Sequence, residues 1–133
     1  MDYVEQTVTG SNDVQQAVQS IVTRCDAIYI PTDNTFASAM PLVGSVVMES
    51  GTPVICGATG MVEAGGLITL GLNYYNLGYQ TGEMAVQVLE GADPASMPVQ
   101  SQNQYDYVVN EEMLSALGME LPQSLLEKMG DAA

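Results

Sequence analysis

The strongest constraint in this chain is an alternation. Short β-branched or apolar runs with strand character give way, again and again, to segments with helical spacing. The run Tyr3–Thr9 is rich in Val and Thr and ends at Gly10-Ser11-Asn12, a turn and helix-start cluster. Val14, Ala17, Val18, Ile21 and Val22 then recur at helical spacing, with Gln15, Gln16 and Gln19 on the wet side. Asp26-Ala-Ile-Tyr-Ile30 reads as a short buried strand that Pro31 stops, because proline has no N–H for a ladder. Phe36, Ala39, Met40, Val43, Val46 and Val47 mark a second helix, in which Pro41 either sits near the start or makes a kink. Pro53-Val-Ile-Cys56 and Leu67–Leu72 are further strands, with one helical turn over Met61–Ala64 between them.

A long helix follows, with Leu77, Met84, Ala85, Val88 and Leu89 on its apolar side and Gly91 and Pro94 as its stop. Met97–Gln104 is polar and loop-like, or a poor strand. Tyr105–Val109 is a strand, and Asn110 is a natural helix cap with Glu111 and Glu112 in the first turn, where carboxylates suit the helix dipole. Leu121-Pro122 opens a last helix ending near Lys128, and the tail from Gly130 to Ala133 is expected to fray. This order predicts an α/β fold, a parallel sheet with helices on both faces. Ligands of such sheets bind beyond the C-terminal strand ends. Three polar clusters fall there: Thr32–Thr35, Gly57–Thr59 and Asn73–Asn76. They suit a shared ligand, and they equally suit ordinary caps and turns.

Charge removes several functions. Sixteen acidic residues oppose Arg24 and Lys128 alone, a formal net charge of −14. Two cations cannot neutralise a nucleic-acid backbone, and an anionic membrane surface repels such a chain. With no His there is no Ser-His or Cys-His nucleophile and no imidazole metal site. Lys128 stands in no phosphate-binding loop, and no cofactor is expected. The 47% hydrophobic content in 133 residues supports one core. Cys25 and Cys56 form no CxxC pattern and read as small buried apolar residues. No apolar run is long enough to span a membrane, and no basic start with an apolar stretch marks a signal peptide.

The polar clusters carry a resemblance. Ser11-Asn-Asp-Val-Gln-Gln-Ala-Val18, Asp26-Ala-Ile-Tyr-Ile-Pro-Thr-Asp-Asn-Thr35, Pro53-Val-Ile55, Gly71-Leu-Asn-Tyr-Tyr-Asn-Leu-Gly-Tyr-Gln-Thr-Gly82 with Met84-Ala85, and Val109-Asn110 with Leu117-Gly118 are similar to the substrate-binding proteins of ABC transporters, in the branch that binds tryptophan or tyrosine. The resemblance covers nearly the whole chain, in order. It implies one lobe, the C-terminal one, of a type I periplasmic-binding-protein fold, whose two lobes close on a ligand. It implies that residues 74–104 form a crossing segment normally packed on the N-terminal lobe. By the same resemblance Thr32, Asp33, Asn34 and Thr35 hold an amino-acid head group, Gly57, Ala58 and Thr59 line the second strand end, and Asn73 and Tyr74 line the third. Asp33 also suits a plain helix cap, and Tyr74 and Tyr75 suit either ligand stacking or packing between lobes. The family commonly has an acidic residue where this chain has Asn73, and an amide brings no negative charge to an ammonium.

The function so implied is solute binding for an ABC importer, without catalysis. The implied partners are a small zwitterionic ligand and, for the full-length protein, an ABC permease outside the cytoplasm, with a periplasmic or lipid-anchored location. An unpartnered Tyr74–Glu90 helix predicts a homodimer or domain swap. The alternatives are a small flavodoxin-like enzyme, which the missing His and phosphate loop oppose, and the effector domain of a regulator.

Overall fold

A computed structural model describes residues 2–131. The elements are α1 (Ser11–Ile21), β1 (Ile28–Ile30), α2 (Asn34–Ser50), β2 (Val54–Cys56), α3 (Thr59–Glu63), β3 (Ile68–Leu72), α4 (Tyr74–Leu89), β4 (Tyr105–Val109), α5 (Glu111–Ala116) and α6 (Gln123–Asp131), with a 3-10 turn at Pro94–Ser96. α6 runs past the expected stop at Lys128 and includes Gly130; of the tail expected to fray, residues 132 and 133 lie outside the described residues.

The chain is α/β, and β1, β2 and β3 are parallel neighbours in that order, as the alternation predicts. Three features differ. The expected strand over Tyr3–Thr9 does not form; strand-forming residues make a strand only when a neighbour takes their backbone groups, and here none does. Next, β4 pairs antiparallel with β3, from Ile68 opposite Val109 to Leu72 opposite Tyr105. The sheet is therefore mixed, because the chain comes back through α4 and the segment 90–104 from the other end.

The third difference concerns the faces. Alternation and register put Ile28, Ile30, Val54, Cys56, Thr69 and Gly71 on one face, and all are buried. They meet Val14 and Val18 of α1, Met40, Val43 and Val47 of α2, Met61 and Val62 of α3, and Met113 of α5 in one core. The opposite face is not sealed. Tyr29 is 65% exposed, Leu70 52% and Tyr105 49%, and Ile55, Ile68, Leu72 and Tyr107 are half-buried. Helices on both faces were expected, but α4 carries no buried residue and its Leu89 is 86% exposed.

Close packing fixes how α2 approaches the sheet. Gly65 has φ +137°, and a side chain on it would meet the Met40 carbonyl at 2.7 Å. α2 continues through Pro41 to a left-handed stop at Gly51. Both cysteines are free; Cys56 is buried, which pushes its thiol up to about 11, and the half-buried Cys25 donates to the Ile21 carbonyl at 3.2 Å.

Candidate ligand-binding rim

The three polar clusters follow the C-terminal ends of β1, β2 and β3, so the parallel pairing brings them to one rim. At β1, Asp33 is the N-cap of α2, with Oδ1 accepting from the Phe36 amide at 3.0 Å. One carboxylate oxygen is thus committed to the cap. Asn34 and Thr35 occupy the first turn of α2, where Asn34 gives its carbonyl to the Ser38 hydroxyl at 2.9 Å. Thr32 reaches the second cluster directly, its Oγ1 donating to the Gly57 carbonyl at 3.0 Å.

Gly57 is required there. A Cβ would stand 2.5 Å from the Thr32 amide nitrogen and 2.8 Å from its Oγ1, so any side chain would push the two loops apart. Ala58 is the extended N-cap of α3, and Thr59 opens that helix. Thr59 packs on β3, with its Cγ2 3.0 Å from where a Cβ on Gly71 would lie. Thr32, Gly57, Thr59 and Gly71 therefore form a continuous row.

The third cluster holds a residue that the pattern reading missed. Asn73 caps α4 with Oδ1, which accepts from the Asn76 amide at 2.9 Å. Its Nδ2 donates to Asp106 Oδ2 at 2.8 Å. Asp106 lies opposite Gly71 in the β3–β4 register, on the same sheet face. Only the antiparallel direction of β4 puts this second residue of the strand at the rim; in a parallel strand it would lie at the other end. The sequence holds no local sign of that direction. Two further amide pairs continue away from the rim: Asn76 Nδ2 to Gln104 Oε1 at 2.7 Å and Gln80 Nε2 to Gln100 Oε1 at 2.8 Å. They tie α4 to the segment 100–104, which the sequence marked as polar and either loop-like or a poor strand.

Tyr74 and Tyr75 project from the start of α4 and are exposed. The rim thus offers amide and hydroxyl groups, the open first turn of α2, one carboxylate beside Asn73, and aromatic rings at one end. The cavity of about 360 Å³ lies elsewhere, against β1 and α1. Among the described residues no group of three His, Cys, Asp or Glu is placed to hold a metal ion, and no helix is long and apolar enough to cross a membrane.

Comparison with known proteins shows what the chain is similar to. The chain is 39% identical over 119 residues to a tyrosine-binding protein of Clostridioides difficile (strain R20291), covering 90% of this chain and 34% of that protein. It is similar to the structure of an ABC domain in complex with L-Trp from Streptococcus pneumonia, with 39% identity and a TM-score of 0.83 over 92% of this chain and 42% of that one. It also matches the ligand-free, open structure of a substrate-binding protein with adhesive properties from Clostridium difficile, at 48% identity and a TM-score of 0.71, covering 90% of this chain and 41% of that one. The chain thus spans about a third of the length of the curated relative it matches. The model of the family described as ABC transporter substrate binding protein matches residues 1–132, and the chain belongs to that family.

Proposed function

We propose that this chain is the C-terminal lobe portion of a bilobed solute-binding component of an ABC importer. It takes an amino acid or a similar small zwitterion on the β1–β3 rim and carries out no catalysis. The observation that carries this is the row from Thr32 to Asn73, completed by the Asp106 carboxylate 2.8 Å from Asn73. Amides and hydroxyls near the start of α2 suit a carboxylate. Asp106 supplies the negative charge for an ammonium that Asn73 itself lacks. Tyr74, and beside it Tyr75, suits an aromatic side chain, in line with the tyrosine- and tryptophan-binding relatives.

In this reading residues 74–104 are the crossing segment. The amide pairs hold α4 to the segment 100–104, while the exposed apolar residues of α4 wait for the other lobe. The full-length protein works with a permease outside the cytoplasm, in the periplasm or as a lipid-anchored protein. Family membership and the relatives support that setting.

The test is a thermal-shift and NMR titration of the chain with L-tyrosine, L-tryptophan, and the matching arylpropionates that lack the amine. A ligand that binds only the folded state raises the melting temperature. We expect weak, saturable binding of the amino acids, because a single lobe gives only part of the enclosure that desolvates a ligand. Asp106→Asn should weaken it roughly tenfold, as for a lost charged hydrogen bond, and leave arylpropionate binding unchanged. No response to any amino acid would sink the reading. Sub-micromolar binding by the isolated chain would sink the lobe assignment.

A further inference from the structure

The run Gln100-Ser-Gln-Asn-Gln104 is the most amide-rich stretch of the chain, and no strand or helix includes it. Gln102 folds back on its own backbone, its Oε1 accepting from the Asn103 and Gln104 amides at 3.1 and 3.4 Å. Gln104 and Gln100 reach out instead, and each accepts from α4: Gln104 from Asn76 and Gln100 from Gln80. Asn73, Asn76 and Gln80 are spaced three and four apart, so they stand on one side of the helix. Their partners Asp106, Gln104 and Gln100 run the opposite way. The contacts make one antiparallel row of three rungs, leading from the rim down α4. Side-chain amides both donate and accept. A chain with two cations cannot build such a row from ion pairs, and carboxylates set opposite one another would repel.

The top rung is the carboxylate that the rim needs. Asp106 is the second residue of β4, an edge strand paired on one side. The ladder ends one residue away, at Leu72 opposite Tyr105, and ladder ends open readily. The residue opposite Asp106 is Gly71, which has no side chain to pack against it. Among the described residues, the hydrogen bond to the Asp106 carboxylate comes from Asn73. Strand pairing therefore brings Asp106 to the rim without holding its side chain there. We infer that Asn76, Gln80, Gln100 and Gln104 are positioning residues for ligand recognition. The two lower rungs clamp the approach to β4 against α4, so that the Asp106 carboxylate stays beside Asn73, within reach of a ligand ammonium. An ionised carboxylate has more acceptor sites than the one Asn73 uses, so amide and ammonium share it. Without the clamp the start of β4 swings, and the loss falls on the ligand's amine rather than on its carboxylate or ring. The inference rests on the ammonium reading of the rim given above.

The test compares the double variants Gln100→Ala/Gln104→Ala and Gln100→Glu/Gln104→Glu with the parent chain. Alanine removes both acceptors, whereas glutamate keeps an acceptor oxygen at the same reach. Both positions are exposed, so the variants should fold, and far-UV circular dichroism checks that they do. In the ligand-free chain, NMR reads the contact between the Asn73 side-chain amide and the Asp106 β-protons. We expect that contact in the parent and the glutamate variant, and its loss in the alanine variant. Titration then reads selectivity. L-tyrosine and L-tryptophan should bind the alanine variant roughly fivefold more weakly, as for lost hydrogen bonds, while the arylpropionates bind as before. The glutamate variant should hold the ratio of the two affinities at the parent value or above it. A parent chain without the contact, an alanine variant that keeps it, equal weakening of both ligand classes, or a glutamate variant that loses as much as the alanine one would each overturn the inference. A parent chain that binds no amino acid would sink the ammonium reading instead, and the ligand-free contact would still decide whether the amide pairs place Asp106.

Discussion

Single side chains in this protein mostly end helices. Asp33, Asn73 and Asn110 each accept from an amide three residues on, at 2.9–3.0 Å, and each residue type announces that role in the sequence. The expected start at Gly10-Ser11-Asn12 is different. The cap position is Gly10, with no side-chain bond, and Asp13 instead turns back to accept from the amide and hydroxyl of Thr9. Those two bonds hold the Asp13 carboxyl below its usual range. Because its folded value is depressed, Asp13 contributes stability at pH values above the ordinary carboxylate range and loses it as pH falls through the folded value. Acid titration of the melting temperature should therefore show a smaller acid-side loss in Asp13→Asn than in the parent chain. Equal losses would mean that the Thr9 contact does not persist in solution. Asp106 stands apart from the caps, since its meaning depends on the strand beside it.

The elements divide by how local their causes are. α2 has a 17-residue span and a clear apolar side, and it absorbs Pro41 without ending. Proline there removes one backbone hydrogen bond from an exposed turn, so the helix tolerates it at a cost. Pro41→Ala should raise stability by about 1–3 kcal/mol, the usual penalty for an interior proline. A chemical-denaturation midpoint that stays put or falls would show that the turn gains something else from proline. β4 is the opposite case. Its Tyr-Asp-Tyr-Val-Val sequence identifies a strand, yet direction and neighbour come from the long return through α4. The strand expected over Tyr3–Thr9 fails for a related reason: composition makes residues able to pair, and only a neighbour makes them pair.

Across the whole molecule, the surface is too large. A compact 14.1 kDa monomer should expose about 6,700 Å², whereas this chain exposes 8798 Å². The excess of roughly 2,000 Å² is the scale of a substantial protein interface. Much of it is apolar, along Tyr74, Tyr79, Val86 and Leu89 of α4 and on the half-open sheet face. We expect the isolated chain to self-associate through α4, with a light-scattering mass above 14.1 kDa at micromolar concentration. A clean monomer would contradict this. The net charge of −14 opposes both association and compactness. Added NaCl should therefore raise the melting temperature by screening, and a flat response would show that the charges lie too far apart to matter.

What the sequence determined by itself is what depends on near neighbours. Helical spacing, turn residues and caps act within a few positions, so α1, α2 and α5 and the short strands β1 to β3 were legible, and so was the rim, which parallel alternation alone puts at the strand ends. Tertiary structure decided the rest, because each remaining feature depends on residues far apart in the chain. The antiparallel β4, the Asn73–Asp106 contact across 33 positions, the unpaired segment 3–9 and the cavity beside Tyr29 follow from which backbone lies next to which. Hydrogen-bond ladders and buried faces are satisfied by spatial neighbours, and a sequence read locally does not say who those neighbours are.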